Sequence, residues 1–502
     1  MEWIPVCECL AGFPKELFEE AILQLVHHPE YNSTLILRSE VIDHTETESK
    51  VLHAPSLRAH RFASNIRRRL LPRRPGRDPP IEQDCTFYIA DSIEEHEDDS
   101  LVSCLVLTPV LRADEQMPYY HPAVHHIAFR YITGPTADIS EARLRIEVVP
   151  LPGAPDPKDI NSRLYRTSLA LLETAHRYGW GTMTNYQKRV HHDCLVSREE
   201  YQDLYLILRE RHKHLVDQWK ESTDPLKHVY EDIGIATFLM LLWKQDVFAT
   251  RGEPRKNVES IDPATPWHNW PRPPGGFLDL GCGNGLLVHI LISEGYAGEG
   301  VDVRARTSWA HYPPTTQTHL HVHALNPLND REEDPFLRSG AFIIANHADE
   351  LSPWTPVLAT LSSASGYLSI PCCAWSFDAR FDRAQVTRQG TGSTPFAFAF
   401  PPDTSETEFI DSLKLGGLGN ATSSYSMYRA WLANLSLHCG WQLESDTLRI
   451  PSTRNWAIVG RRRANDGTNE NNGWQNALVV LAQVRDRGAF KTRRPEGKAG
   501  NH

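Results

Sequence analysis

A carboxylate and three glycines fall within one short segment, Asp279-Leu280-Gly281-Cys282-Gly283-Asn284-Gly285. Glycine lets the backbone turn sharply and approach a ligand closely, because no Cβ stands in the way. The residues before the loop, Phe277-Leu278-Asp279-Leu280, have the pattern of a buried strand, and 286–294 read as a helix ending at Gly295. Open α/β sheets bind ligands beyond the carboxyl ends of their strands, where such a loop sits. A G-x-G-x-G run alone also suits a dinucleotide, but two details point elsewhere. Asp279 stands two positions before the first glycine, where a cationic ammonium needs a carboxylate. The third glycine follows the second by two residues, not by the three of the dinucleotide fingerprint. A second strand, Gly300-Val301-Asp302-Val303, then offers Asp302 to the hydroxyls of a ribose. Together these predict S-adenosylmethionine, held by Asp279, Gly281, Cys282, Gly283, Asn284, Gly285 and Asp302. Cys282 is read as a small residue that fits its place.

Methyl transfer is in-line attack on a sulfonium methyl, so catalysis is mostly positioning and removal of a proton. Methylases of exocyclic amines carry an Asn/Asp-Pro-Pro-aromatic segment after the fourth strand. Here the strand 341–345 runs into Asn346-His347-Ala348-Asp349-Glu350-Leu351, with no proline. Carbon-5 pyrimidine methylases need a cysteine nucleophile, and Pro371-Cys372-Cys373 follows a different strand from the one that normally carries it. These thiols are read as packed or cofactor-flanking. A hydroxyl acceptor remains, and a ribose 2′-OH needs help to lose its proton. Asn346, His347, Asp349 and Glu350 are the catalytic candidates, with the base unassigned among them. Each has a plainer reading: Asp349 as a helix cap, Glu350 as an exposed charge.

The elements that must position these residues fall into four parts. Residues 1–155 mix strands (86–90, 101–107, 125–132 and 142–149) with Pro-rich and charged loops, an N-terminal α+β extension. Residues 160–250 form a helical connecting region. Its first amphipathic helix spans 199–220, and its second opens at Asp224-Pro225, an N-cap with Pro at the first helical position. That second helix is apolar nearly all round, which predicts burial. Residues 272–463 alternate strands (276–280, 298–303, 341–345, 366–370, 447–450 and 457–460) with helices. This predicts an α/β fold with a Rossmann-like class I S-adenosylmethionine-dependent methyltransferase domain, closed by an antiparallel hairpin. Residues 464–502 read as a flexible basic tail with a short ordered piece at 475–484.

Apolar residues make up 40% of the 502 and charged ones 23%, a balance that predicts a globular chain with a large core. The N-terminus, Met-Glu-Trp-Ile-Pro, lacks the basic and apolar regions of a secretory signal, and the longest apolar run, 233–243, is too short for a membrane span. Nine cysteines without a C-x-x-C pair argue for reduced thiols and a cytoplasmic protein, and no Cys/His zinc pattern is visible, so no metal is expected. The net charge of −11 is unlike that of a nucleic-acid binder. Locally, however, Arg58, Arg61, Arg67, Arg68, Arg69, Arg73, Arg74 and Arg77 form a basic run, followed by acidic Glu94, Glu95, Glu97, Asp98 and Asp99. Further clusters are Arg461-Arg462-Arg463 and Lys491, Arg493, Arg494. Clustered arginines suit phosphate contact, or else solvated surface.

Several blocks between about 160 and 460 give the chain a more specific likeness. They are Thr223-Asp224-Pro225-Leu226-Lys227-His228-Val229-Tyr230-Glu231-Asp232, the glycine loop continuing as Leu286-Leu287-Val288-His289, Glu294-Gly295-Tyr296 with Gly300-Val301-Asp302-Val303-Arg304, Asn346-His347-Ala348-Asp349-Glu350-Leu351, Ile370-Pro371-Cys372-Cys373 and Leu448-Arg449-Ile450-Pro451-Ser452-Thr453-Arg454. In these it resembles the fungal tRNA (uracil-O(2)-)-methyltransferases, whose target is the ribose 2′-OH of uridine 44 in serine tRNA. The resemblance implies a tRNA partner and gives Arg454 and Arg461–Arg463 a role on its phosphates. Residues 374–378 look less like that family, and 389–407 look like an insertion. Rival readings are a methyltransferase for another RNA site, a protein or a small molecule, and a non-catalytic RNA-binding fold of the same shape.

Overall fold

A computed structural model describes the chain except for residues 1, 48–56, 58–59, 91–100, 113–114, 134–138, 187–190, 246–264, 330–333, 378, 382–404, 414, 416–422, 465–469, 489 and 491–502. The acidic run, Arg58, the Lys491–Arg494 cluster and nearly all of the 389–407 stretch therefore lie outside the described residues. The described chain divides into two compact units, residues 1–187 and 188–502.

The first unit is one antiparallel sheet: β1 (Ile4–Leu10), β2 (Ile36–Thr45), β3 (His60–Pro72), β4 (Ile81–Ala90), β5 (Val102–Val110), β6 (Val124–Ile132) and β7 (Arg143–Pro150), in the order β1-β7-β6-β5-β4-β3-β2. Helices Phe18–His27 and Arg163–Met183 cover it, and Phe18, Ile22, Leu25, Leu164 and Leu172 share a core with Phe87, Leu105, Phe129 and Ile146. Ser162 caps the long helix by accepting from the Tyr165 amide at 3.0 Å. That helix packs into this unit's core, so the sequence-drawn boundary near 155 falls too early.

The arginine run of β3 is largely structural here. Strand alternation turns Arg68 inward, where it is 3% exposed and donates to Gln83 Oε1 (2.6 Å) and to the carbonyls of Leu25 and Val26. Its neighbours face out and pair across the strand, Arg67 with Asp84 at 2.9 Å and Arg69 with Glu82 at 2.8 Å. All three are engaged within the fold, Arg67 and Arg69 by carboxylates of β4 and Arg68 by neutral oxygens only.

In the second unit, β8 (Phe277–Leu280), β9 (Gly298–Asp302), β10 (Leu320–Val322), β11 (Phe342–Asn346), β12 (Gly366–Ile370), β13 (Glu444–Thr447) and β14 (Trp456–Gly460) form a sheet ordered β10-β9-β8-β11-β12-β14-β13. The first five strands are parallel, and β14 runs antiparallel to both β12 and β13. One face carries the helices Arg198–His212, Pro225–Lys244 and Leu286–Ser293, packed on Phe342, Ile344, Leu368 and Val459. The other carries Trp354–Leu361, Ser424–His438 and Glu470–Asp486, packed on Ile343, Tyr367 and Ile458.

Helix Pro225–Lys244 is buried as its composition requires, with Trp243 against the rings of Phe277, Tyr296 and Phe342. The ordered piece read at 475–484 lies within a longer helix, Glu470–Asp486, whose Ala477, Val480, Leu481 and Val484 are buried at helical spacing in the sheet's core, so this part of 464–502 is not a flexible tail. No helix among the described residues is long and apolar enough to cross a membrane.

Candidate functional site

The order of the second sheet reverses beside β8. From there β9 and β10 extend one way, β11 and β12 the other. At such a switch point the connections leaving the two strands diverge and open a crevice. A cavity of about 680 Å³ lies there, lined by Asp279, Gly281, Cys282, Gly283 and Asn284 from the β8 loop, Asp302 at the end of β9, and Asn346, His347, Asp349 and Glu350 after β11. All but one of the residues proposed from sequence for cofactor and catalysis thus meet around one space. Gly285 stands just behind it, at the start of the helix.

The loop is built by backbone geometry that only glycine takes without strain. Gly281, Gly283 and Gly285 have φ of 68°, 54° and 76°. A Cβ on Gly285 would meet the Leu320 side chain at 2.9 Å. The amides of Gly281 and Cys282 donate to Val301 O at 2.9 and 3.0 Å, and the Gly283 amide donates to Asp302 Oδ2 at 2.9 Å. Asp302 Oδ1 accepts from the Arg304 amide at 3.1 Å, so each oxygen of this carboxylate accepts a backbone N–H while the residue borders the cavity. Asn284 accepts from the Leu286 amide at 2.8 Å, which turns the chain into the helix. Cys282 is buried, and burial above all pushes its thiol well up. A Cβ on Gly300 would stand 3.0 Å from Cys282 Sγ, so the thiol fills a fitted space.

Asp279 is only 2% exposed, and its Oδ1 has no hydrogen-bond partner. Burial raises its carboxyl well above the usual range, and the negative charges of Asp232 and Asp302 add to this. Asp232 is raised in turn, by its own burial and then by Glu231. Like charges withdrawn from water around one space disfavour one another, and a cation placed among them reverses the penalty. The partnerless Asp279 oxygen is the kind of group that the ammonium of S-adenosylmethionine would satisfy, so these residues fit that cofactor.

Asn346 ends β11 with its Oδ1 buried and unpartnered. His347 and Asp349 both sit in the left-handed region, at φ 56° and 46°. The amide of His347 donates to Ile370 O at 3.1 Å, tying the turn to β12. Its ring Nε2 lies 3.3 Å from Glu231 Oε1, and Nδ1 is buried without a partner. Burial works to raise Glu231, but the hydrogen bond and charge of His347, with Lys227 and Ser452, hold it below the usual range. Asp349 does not cap the one-turn helix Asp349–Leu351. Instead the Cys372 thiol donates to its Oδ1 at 3.5 Å.

The sequence reading missed the helix side of the cavity: Lys227, His228, Glu231 and Asp232. An adjacent Glu-Asp pair inside an apolar helix was the available signal, because buried acids need a reason. It also missed Arg304, Arg306, His323 and Phe490. Arg454 borders the cavity as well, stacked 3.8 Å from the centre of the Tyr425 ring. The neighbouring cluster is corrected. Arg461 is 8% exposed and pairs with Glu444 at 2.6 Å, while Arg463 lies 3.5 Å over the Trp441 ring and donates to Thr360. Only Arg462 of the three is exposed.

Comparison with known proteins agrees with this division. Residues 1–189 match the family model described as "TRM44-like, N-terminal bet v1-like domain", and residues 195–255 and 269–327 match "Predicted AdoMet-dependent methyltransferase". Among curated proteins, the tRNA (uracil-O(2)-)-methyltransferase of Schizosaccharomyces pombe is 34% identical, covering 92% of this chain and 85% of the relative. That of Neurospora crassa is 33% identical, covering 93% and 88%. The Saccharomyces cerevisiae protein of the same name is 28% identical, covering 90% and 85%. The chain belongs to the tRNA (uracil-O(2)-)-methyltransferase family.

Proposed function

We propose that this chain methylates the ribose 2′-OH of a uridine in tRNA, uridine 44 of serine tRNA being the specific target, and that it does so in the cytoplasm. The observation that carries the reading is the buried Asp279 carboxyl, its Oδ1 without a partner, grouped with Asp232 and Asp302 under a glycine loop at the switch point. The strand order, with its antiparallel β14 inserted beside β12, supports a Rossmann-like class I methyltransferase domain. The names of the relatives support tRNA as the substrate.

S-adenosylmethionine, when bound, supplies an electrophilic methyl group on a sulfonium. Asp279 would hold its ammonium and Asp302 its ribose hydroxyls, with loop residues 281–284 bordering the same cavity. The segment 346–350 then faces the transfer. Glu231 fixes the His347 ring through Nε2, which leaves Nδ1 to take the proton of an acceptor hydroxyl. Asn346 orients the acceptor through its side-chain amide. Lys227, Arg304, Arg306 and Arg454 surround the cavity with the positive charge that a phosphate backbone needs.

The test is direct. The purified chain, given methyl-labelled S-adenosylmethionine and total tRNA, should produce labelled 2′-O-methyluridine on nucleoside analysis. Label in a base, or in protein alone, would replace this reading with one of its rivals. Failure to bind the cofactor would leave only the non-catalytic fold.

A further inference from the structure

We propose that Asp349, Cys372 and Cys373 form a binding site for a thiophilic divalent cation of the zinc class in the wall of the cavity. One ligand atom from each of the three lies within 4.8 Å of the others. The Cys372 sulfur and Asp349 Oδ1 are 3.5 Å apart. Tetrahedral zinc, with bonds of roughly 2.3 Å to sulfur and 2.0 Å to oxygen, sets an S···O edge of about 3.5 Å and an S···S edge of about 3.8 Å. One edge is therefore already at its ligand spacing, and the Cys373 thiol lies within 4.8 Å of both other ligand atoms.

The backbone supports this convergence. Strands β11 and β12 pair in parallel with Asn346 opposite Ile370, so the turn carrying Asp349 and the segment carrying both cysteines leave the sheet side by side. Tyr425 donates to Pro371 O at 2.6 Å and fixes the chain immediately before Cys372. Capture of the ion releases the two thiol protons to solvent.

The donor set selects the ion. Two thiols and a carboxylate suit zinc, whereas magnesium and calcium prefer oxygen throughout. Three protein ligands leave a fourth position, and Asp349 and Cys372 both border the cavity. An oxygen, from water or from an acceptor hydroxyl, would take that place. Only the role of this fourth position rests on the proposed hydroxyl acceptor; capture of the ion does not. Adjacent cysteines joined by an aspartate from another strand leave no C-x-x-C trace in the sequence.

The full-length chain, reduced and freed of metal by a chelator, should be titrated with Co²⁺. One equivalent should bind with the near-ultraviolet band of thiolate-to-cobalt charge transfer and the visible bands of tetrahedral cobalt, and zinc should displace it. Cys372→Ser and Cys373→Ser should each weaken the ion by at least about tenfold and diminish the charge-transfer band, and Asp349→Asn should weaken it without removing that band. Cys194→Ser should change nothing. Calorimetry with S-adenosylmethionine on the same variants reports whether the fold survives, and separates failure of this site from failure of the methyltransferase reading. Absence of the band in the wild-type chain, or a band and affinity undiminished in both cysteine variants, would overturn the proposal.

Discussion

Asp302 reaches back from the end of β9 to accept the amide of Gly283 at 2.9 Å, and so clamps the glycine loop to the neighbouring strand. The residue proposed to hold a ribose is thus also the residue that holds the loop. Removing it should do two kinds of damage at once. A charged hydrogen bond contributes about 1.5–3 kcal/mol, and two backbone amides depend on this carboxylate. Asp302→Ala should therefore weaken S-adenosylmethionine by at least about tenfold in calorimetry. Asp302→Asn keeps one acceptor oxygen and should fall between the two. Unchanged affinity in the alanine variant would remove Asp302 from the binding site.

Asp279 makes a prediction about pH. Its carboxyl is raised in the folded chain, by burial and then by the facing Asp232 on helix Pro225–Lys244 and Asp302 on β9, with the Cys282 thiol also close. Between its unfolded and folded values, the native state binds more protons than the unfolded one, so this group makes stability fall as pH rises. The cofactor-free chain should be most favoured by Asp279 at acid pH and lose that contribution through the folded value. Asp279→Asn should flatten this slope and stabilise the free chain at neutral pH. It should also bind cofactor worse. Thermal melts across pH, with and without S-adenosylmethionine, measure both effects.

These residues were legible in the sequence for one reason: the glycine loop combines a backbone requirement with a charge requirement, and few residue types satisfy either. Where only charge was visible, the reading was poorer. Arg68 and Arg461 look in sequence like their exposed neighbours, yet each is a buried cation paired within the fold. Strand β13 was placed three residues late because Glu444-Ser445-Asp446 shows no apolar alternation, its pairing with β14 being set by backbone hydrogen bonds. The first turn of helix Glu470–Asp486 was missed because it is polar, Glu470-Asn471-Asn472, whereas the apolar residues after it were read as an ordered piece at 475–484. Glu231 was overlooked because its partner, His347, lies 116 residues away, and no local pattern records such a pairing.

Arg461 allows structural and RNA-binding roles to be separated. Its side chain bonds Glu444 and Gln245 in a buried setting, so Arg461→Ala leaves a carboxylate without its partner. Breaking such a pair costs about 3 kcal/mol. The expected outcome is a melting point lower by several degrees, with the salt dependence of tRNA binding unchanged. Arg454→Ala should behave in the opposite way, lowering tRNA affinity most at low salt and reducing the salt slope by about one ion. Filter binding over a salt series distinguishes them. A reduced slope in the Arg461 variant would return that residue to the RNA surface.

The pairing of Glu231 with His347 gives the sharpest test of the proposed chemistry. Glu231 arises from a buried helix and touches neither the glycine loop nor Asp302 in the hydrogen bonds it makes, so its effect on cofactor binding should be indirect and small. Its effect on His347 should be large, because the ring has no other partner to fix its orientation among the hydrogen bonds described. Glu231→Ala should lower kcat by about 10- to 100-fold, leave KM for tRNA nearly unchanged, and leave S-adenosylmethionine affinity equal or tighter, since Asp232 loses a repulsive neighbour. Glu231→Gln preserves an acceptor oxygen at the same place and should recover part of the loss. A merely structural role would instead lower the melting point and affect both kinetic constants without rescue by glutamine. If His347→Ala retains full turnover, the proton passes to another group, and Glu231 positions nothing that the reaction needs.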